Sequence, residues 1–253
     1  MYTIMFSSRF MADKPENPLF NFLSSFCDNT NKEERELTEL LIKFDEDDEL
    51  RPEKEELDHF GLNIRTFVWP RHGGRASIHE VNNILYKFAS KDCKFVQFIA
   101  DDFIFTRPNF VTEILERSDE YVMTGENGLT HHECIEGTAG YCPAFSSKLI
   151  DALSCTVGPQ SNADGVAFEI ADSLRERYNY EIMFAPGNNP CYYTRTDCIT
   201  SAHDPEDTFT KMTFPHGNTD QKGHWKDYFR ILADNVMRAM LVEKNGGLEK
   251  LLS

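Results

Sequence analysis

The amino-acid sequence predicts an α/β fold in which helices cover both faces of a mostly parallel central sheet. The first observation is that short, strongly apolar runs alternate with segments whose apolar residues recur every three or four positions. The second is the order of these segments, because parallel strands need crossover helices between them. In the first half, the predicted strands are residues 2–6, 37–44, 63–69 and 94–100, and the predicted helices are residues 18–26 and 77–89.

The second half of the chain shows the same kinds of element in a less regular order. The predicted strands are residues 120–126, 140–145 and 180–186, and the predicted helices are residues 146–153 and 164–178. Residues 187–223 are rich in Asn, Pro, Thr, Asp and His, which predicts a loop. A last helix, from residue 224, is expected to end at Gly246 and Gly247, because glycine is favoured just beyond helix ends.

The composition excludes some classes of function. The formal net charge is −16, and residues 33–58 hold thirteen acids against four bases, so much of the excess is one local run that is typical of a solvated surface. An acidic chain is poorly suited to binding nucleic acid through its phosphates.

The cysteines and the apolar segments indicate the cellular compartment in which the protein is expected. The seven cysteines are scattered without CxxC pairing, which favours reduced thiols over a disulfide framework or a zinc site. No segment approaches the ~18 apolar residues that span a bilayer, and no signal peptide is evident at the start. We therefore expect a soluble, cytoplasmic protein without a membrane span.

Carboxylates follow two of the predicted strands at their carboxyl ends. Residues 45–48 read "DEDD" after the second strand, and Asp101 and Asp102 follow the fourth. Ligands of parallel α/β sheets bind beyond these ends, and paired carboxylates repel unless a cation lies between them. Oxygen ligands favour Mg²⁺ or Mn²⁺ over zinc. The alternative is that Asp101 and Asp102 only cap the turn that residues 106–108 close.

Four segments together resemble the GT-A fold glycosyltransferases of the family-2 kind, the nucleotide-diphospho-sugar transferases. They are "TIMFSSRF…NPLFNFLSSFCDNT", "ELLIKFDEDD", "PRHGGRASIHEVNNILYKFAS" and "FVQFIADDFIF", and they cover about 105 residues. The family's DxD-type metal motif is here the variant Ala100-Asp101-Asp102. The resemblance implies a Rossmann-like, mostly parallel sheet with a short antiparallel element in the second half. It also implies one domain, residues 1–253, with a nucleotide-binding half (1–110), an acceptor half with the late loop (111–223) and a C-terminal helix (224–253).

The resemblance assigns nucleotide-binding roles along the first three segments. Three residues at the end of the first strand, Ser7, Ser8 and Arg9, would lie beside the nucleotide. Without the resemblance, they would be interpreted as an ordinary polar end of a strand. Asp45 would accept hydrogen bonds from the base, and Asp47 fits the same role by spacing. Arg75, after two glycines, could reach the diphosphate, and its alternative is a solvated side chain on a flexible turn.

The remaining assignments concern the metal, the donor and the catalytic base. Asp101 would face the ribose or sugar, and Asp102 would bind Mn²⁺ or Mg²⁺. Asp164 is the candidate base that deprotonates the acceptor hydroxyl, with Glu169 behind it, and its alternative is a helix N-cap. Some GT-A enzymes bring a late histidine to the metal; here it would be His203, or else His216 or His224, and the alternative is a solvated loop histidine.

The function that these assignments imply is metal-dependent transfer of a sugar from a nucleotide-diphosphate donor, such as a UDP-sugar, to an acceptor hydroxyl of a carbohydrate or glycan. The family favours an inverting mechanism. A sugar-1-phosphate nucleotidyltransferase is one alternative, but "SSRFMADKPENP" lacks the glycines of its signature loop. A non-catalytic metal- or carbohydrate-binding module is the other, and it leaves the second acidic strand end unexplained.

Overall fold

The computed structural model describes residues 1–10, 18–70, 78–101, 103–105, 107–124, 143–153, 163–184, 191–193, 222–247 and 250. The strands are β1 (Tyr2–Ser8), β2 (Thr38–Asp45), β3 (Asn63–Trp69), β4 (Phe95–Phe98), β5 (Phe103–Phe105), β6 (Met123–Thr124), β7 (Ala144–Ser146), β8 (Met183–Phe184) and β9 (Cys191–Tyr193). The helices are α1 (Pro18–Asp28), α2 (Lys32–Glu36), α3 (Lys54–Asp58), α4 (Ile78–Tyr86), α5 (Phe110–Leu115), α6 (Ser147–Leu153), α7 (Ala163–Tyr178) and α8 (Lys222–Lys244).

Within the described residues, seven strands form a mixed sheet in the order β3-β2-β1-β4-β7-β6-β8. The four strands of the first half pair in parallel, with β1 between β2 and β4. β7 runs antiparallel to both β4 and β6, whereas β6 and β8 pair in parallel. The predicted α/β class is therefore confirmed, with a parallel first half and an antiparallel element in the second.

Both faces of the central strands are buried, which explains why these strands read as continuous apolar runs. Successive residues of a strand point to opposite faces. On β1, Ile4 and Phe6 belong to one hydrophobic cluster with Phe22 of α1. Met5 belongs to another cluster with Leu85 of α4. Helices α1 and α4 thus contribute to the packing of the sheet from opposite sides.

The helices of the second half share a separate hydrophobic cluster. It contains Leu149 of α6, Leu174 of α7 and Val236 of α8, together with Met183 of β8. Contacts between α7 and α8 and between α6 and α8 build this layer. No helix in the described ranges is long and apolar enough to cross a membrane.

The late part of the chain departs from the predicted loop at one point. β9, which falls inside the predicted loop 187–223, pairs antiparallel with β5, and Phe103 lies opposite Tyr193. A three-residue strand is too short to show an alternating pattern, so its pairing alone defines it. The predicted end of the last helix is confirmed, since Gly246 and Gly247 adopt φ of 77° and 112°. Residues 194–221 lie outside the described part of the chain.

A buried glutamate ties the strands together at the end of the sheet opposite the acidic edge. Glu39 of β2 is fully buried and accepts hydrogen bonds from Thr3 Oγ1 (2.8 Å), Ser90 N (2.7 Å) and Ser90 Oγ (2.8 Å). Arg65 of β3 lies 3.6 Å from its carboxylate. Thr3 also contacts the Sγ of Cys93 at 3.1 Å. Burial raises the pKa of the Cys93 thiol to about 11, with the nearby Glu39 carboxylate adding to the effect and the Thr3 hydrogen bond opposing it.

Candidate functional site

The strand order reverses between β1 and β4, and this places a crevice beyond their carboxyl ends. From β1 the chain proceeds outward to β2 and β3, and it then returns to β4 on the other side of β1. Ligands of open α/β sheets bind at such topological switch points. Here the buried Ser8 at the end of β1 donates a hydrogen bond from Oγ to Oδ2 of Asp101, which follows β4, at 2.5 Å. Two predicted site residues therefore meet at the switch point.

A cluster of charged side chains lies at the end of β2, one strand further along the same edge. Lys43 Nζ donates a hydrogen bond to Oδ1 of Asp45. Arg9 NH1 lies 3.3 Å from Oδ2 of Asp45, and Arg9 NH2 lies 3.5 Å from Oδ2 of Asp47. The side chain of Asp45 is 13% exposed, whereas that of Asp47 is 59% exposed. By spacing the two acids were nearly equivalent, but the structure shields most of Asp45 and leaves Asp47 in solvent.

Lys43 and Trp69 are members of this cluster that sequence reasoning missed. Lys43 and Asp45 are two residues apart on β2, so their side chains lie on the same face of the strand. The side chain of Lys43 is 3% exposed, and its Nζ lies 5.7 Å from the ring centroid of Trp69, the register partner of Asp45. The indole Nε1 of Trp69 is buried and has no hydrogen-bond partner among the described residues. A lysine inside the apolar run "LLIKF" was the available signal, since lysine is rarely buried without a partner.

Asp48, the last acid of "DEDD", has a structural role. It is buried, and its Oδ2 accepts a hydrogen bond from the backbone N–H of Phe10 at 2.9 Å. Its Oδ1 accepts another from the N–H of Leu50 at 3.2 Å. Asp48 therefore fixes the chain that leaves β1 against the turn that follows β2, and this holds Arg9 beside Asp45.

The structure gathers six of the predicted nucleotide-binding residues at one edge of the sheet. They are Ser7, Ser8, Arg9, Asp45, Asp47 and Asp101. Two predicted metal ligands, Asp102 and His203, and the predicted phosphate contact Arg75 lie outside the described residues. Asp164 lies in the first turn of α7, but its side chain is likewise outside the described part.

Six described side chains at this edge carry a net negative charge. They are the basic Arg9 and Lys43 and the carboxylates of Asp45, Asp47, Asp48 and Asp101, which together have a formal charge of −2. Within the described residues, no group of three or more His, Cys, Asp or Glu side chains is arranged to hold a metal. Of the acidic pair Asp101 and Asp102, only Asp101 belongs to the described residues. Its carboxylate oxygens are the type of ligand that Mg²⁺ and Mn²⁺ prefer.

Comparisons with known proteins identify the fold. No protein-family model matches the chain, and no curated protein is significantly similar to it in sequence. Solved structures do match. The structure of S. aureus TarS residues 1–349 superposes with a TM-score of 0.52 at 12% identity, covering 97% of this chain and 82% of that one. TarS is a GT-A-like glycosyltransferase. The chain has a GT-A-type fold.

Two further TarS structures agree with this assignment. A structure of TarS 1–349 in complex with UDP has a TM-score of 0.50 at 12% identity and covers 97% of this chain and 92% of that one. The longer TarS structure has a TM-score of 0.51 at 11% identity, and the match covers 88% of this chain. The match spans 47% of the longer TarS chain. At 11% to 12% sequence identity, the structural similarity establishes the fold alone.

Proposed function

We propose that this chain is a glycosyltransferase that transfers a sugar from a uridine-diphosphate donor to a hydroxyl group of a carbohydrate or glycan acceptor. The observation that carries the proposal is the contact between Ser8 and Asp101 at the switch point of a GT-A-type fold. The same edge presents Asp45, which is paired with the buried Lys43 and the half-exposed Arg9. The UDP complex of the structurally similar TarS supports the choice of nucleotide.

The described residues would bind different parts of the nucleotide. Asp45 would accept hydrogen bonds from the base, because it is the acid held in place at the end of β2. Ser7, which is exposed, would lie beside the ribose together with Ser8 and Asp101. Arg9 provides a cation at the same edge for the phosphates, and Arg75 would add a second.

A divalent metal fits the acidic pair that follows β4. Asp102 would hold Mn²⁺ or Mg²⁺, with Asp101 next to it in the sequence, and His203 would approach from the late segment. When bound, such an ion stabilises the negative charge that develops on the leaving diphosphate. The chain's own contribution is to hold Asp101 in position through Ser8, after a strand whose first three residues are buried.

The acceptor hydroxyl must lose a proton during transfer, and Asp164 is the proposed base. Its place in the first turn of α7, in the second half of the chain, agrees with a role on the acceptor side. A carboxylate that takes the proton while the acceptor oxygen attacks from the face opposite the diphosphate produces inversion at the anomeric carbon.

Calorimetric titration of the full chain with UDP and with GDP, each with and without Mn²⁺, tests this proposal. We expect UDP to bind more tightly than GDP and to depend on the metal. Titration in excess EDTA is the control for adventitious metal. If neither nucleotide binds in the presence of Mn²⁺, the proposed function is wrong.

A further inference from the structure

The two oxygens of the Asp45 carboxylate are held by partners of different character. Oδ1 accepts from Lys43, whose side chain is 3% exposed and lies under the ring of Trp69. Oδ2 faces Arg9, whose side chain is 36% exposed. One oxygen is therefore bound from inside the protein, and the other from its surface.

The contact with Lys43 is the permanent one. An ammonium group buried between β1 and β3 cannot leave its counter-ion without a large desolvation penalty. Its neighbours across the sheet are Ser7 and Phe67, so the strands on both sides fix its position. Because Lys43 cannot follow a ligand, it can only determine where Asp45 points.

The contacts of Arg9 are the replaceable ones. They measure 3.3 and 3.5 Å, which is longer than the roughly 2.7–2.9 Å of strong charge-assisted hydrogen bonds. Asp47, the second partner of Arg9, is itself largely in solvent. The pair with Asp47 is exposed and contributes little to stability, and the pair with Asp45 is long and only partly buried, so a ligand can replace both. The planar guanidinium of arginine matches the geometry of phosphate oxygens.

We propose, on the basis of the function proposed above, that Lys43 is a positioning residue for Asp45 and that Arg9 exchanges its partners when a nucleotide binds. In the ligand-free chain Arg9 pairs with Asp45 and Asp47. When a nucleoside diphosphate enters, its base takes the place of Arg9 at Oδ2 of Asp45, and the released guanidinium pairs with the diphosphate. Arg9 thus opposes recognition of the base alone and favours recognition of the base with its phosphates.

Comparing uridine with UDP separates these two effects. We would titrate the full chain with UDP in the presence of Mn²⁺ and measure uridine by its competition with UDP. The variants are Arg9→Gln, which removes the charge, Lys43→Met, which removes the fixed partner, and Lys43→Gln, which keeps a donor at this position. The matched control is Lys32→Gln, which removes one positive charge from an exposed side chain on α2, before β2 begins.

The expected pattern differs for each position. Arg9→Gln weakens UDP binding by about tenfold or more, as expected for loss of a charged hydrogen bond, while uridine binds as well as to the parent or better. Lys43→Met weakens uridine and UDP by similar factors, and Lys43→Gln recovers part of both. Lys32→Gln changes neither.

Other outcomes overturn the proposal and separate it from the function itself. If Arg9→Gln weakens uridine and UDP by the same factor, the exchange does not occur. If a folded Lys43→Met variant binds both ligands like the parent, Lys43 does not position Asp45. Either result leaves UDP binding by the parent intact, and with it the proposed function. A parent chain that binds neither ligand refutes both proposals.

Discussion

Replacing Asp45 with alanine is expected to destabilise the whole fold, because the change leaves the ammonium of Lys43 buried without its counter-ion. Removing one partner of a buried ion pair costs about 3–5 kcal/mol of unfolding free energy. We expect a value near the lower limit, about 3 kcal/mol, because Asp45 is 13% exposed and water can replace part of the lost interaction. Lys43, at 3% exposure, has little access to that water.

The order of stability among the single and double variants tests this reasoning more strictly than the free energy of one variant. Lys43→Met should cost less than Asp45→Ala, about 1–2 kcal/mol, because Asp45 retains Arg9 and partial solvation. The double variant should be more stable than the sum of the two single losses predicts, because a methionine in place of Lys43 no longer needs a counter-ion. Urea denaturation of all four proteins, analysed with a common m-value, measures these differences.

Two results would refute the electrostatic explanation. One is a loss below about 1 kcal/mol for Asp45→Ala, which is the range of surface ion pairs. The other is strict additivity in the double variant, which would show that the two side chains act independently. If the expected order is found, a loss of activity in Asp45 variants has to be separated from a loss of folded protein before Asp45 is assigned to the base.

Three further predictions concern other parts of the chain. Asp102→Ala should abolish Mn²⁺-dependent UDP binding in calorimetry, whereas Asp164→Ala should bind UDP normally and lose sugar transfer; if both variants behave like the parent, the site assignment is wrong. Because burial raises the pKa of Cys93 from 9.0 to about 11, its contribution to stability is complete below pH 9 and is lost as the pH rises towards 11. The parent should therefore lose up to about 2–3 kcal/mol more than Cys93→Ala over that range, as measured by denaturation at each pH; equal slopes would contradict this. Gly61→Ala should lower the melting temperature, because Gly61 has φ of 62° and a side chain there costs about 1–2 kcal/mol of backbone strain. Apart from the two adjacent residues, no heavy atom in the described part of the chain lies within 4 Å of the added Cβ, so an unchanged melting temperature would mean that the turn relaxes.

The parallel half of the fold could be predicted from the sequence because β1, β2 and β3 have seven or eight residues each and β1 and β2 are largely buried. Residues 63–69 were predicted as a strand with the bounds that the structure has, and the strands on either side of β1 differ by only a few residues. Apolar runs of this length that alternate with segments of helical periodicity are compatible with few arrangements other than a parallel α/β sheet. In contrast, β6 and β8 have two residues each inside the longer predicted strands 120–126 and 180–186, and β9 has three residues inside a predicted loop, so their bounds depend on their partners in three dimensions.

The candidate site was predictable in its location but not in its contacts. Because the carboxyl ends of parallel strands share an edge, Asp45 and Asp101 were expected on the same side of the sheet, and the structure places them there. That Ser8 meets Asp101 depends on β4 lying next to β1, which alternation does not determine. The pairing of Lys43 with Asp45 depends on which face of β2 is buried beneath Trp69.

The central position of β1 has a consequence for the order in which the chain can fold during synthesis. One edge of β1 can pair once Asp45 has left the ribosome, but the other edge is completed only by β4, which ends at Phe98. In the interval, an apolar strand with an open edge is exposed to other nascent chains and to chaperones. Fragments that end between Asp45 and Phe95 are therefore expected to associate through β1 rather than to remain dispersed.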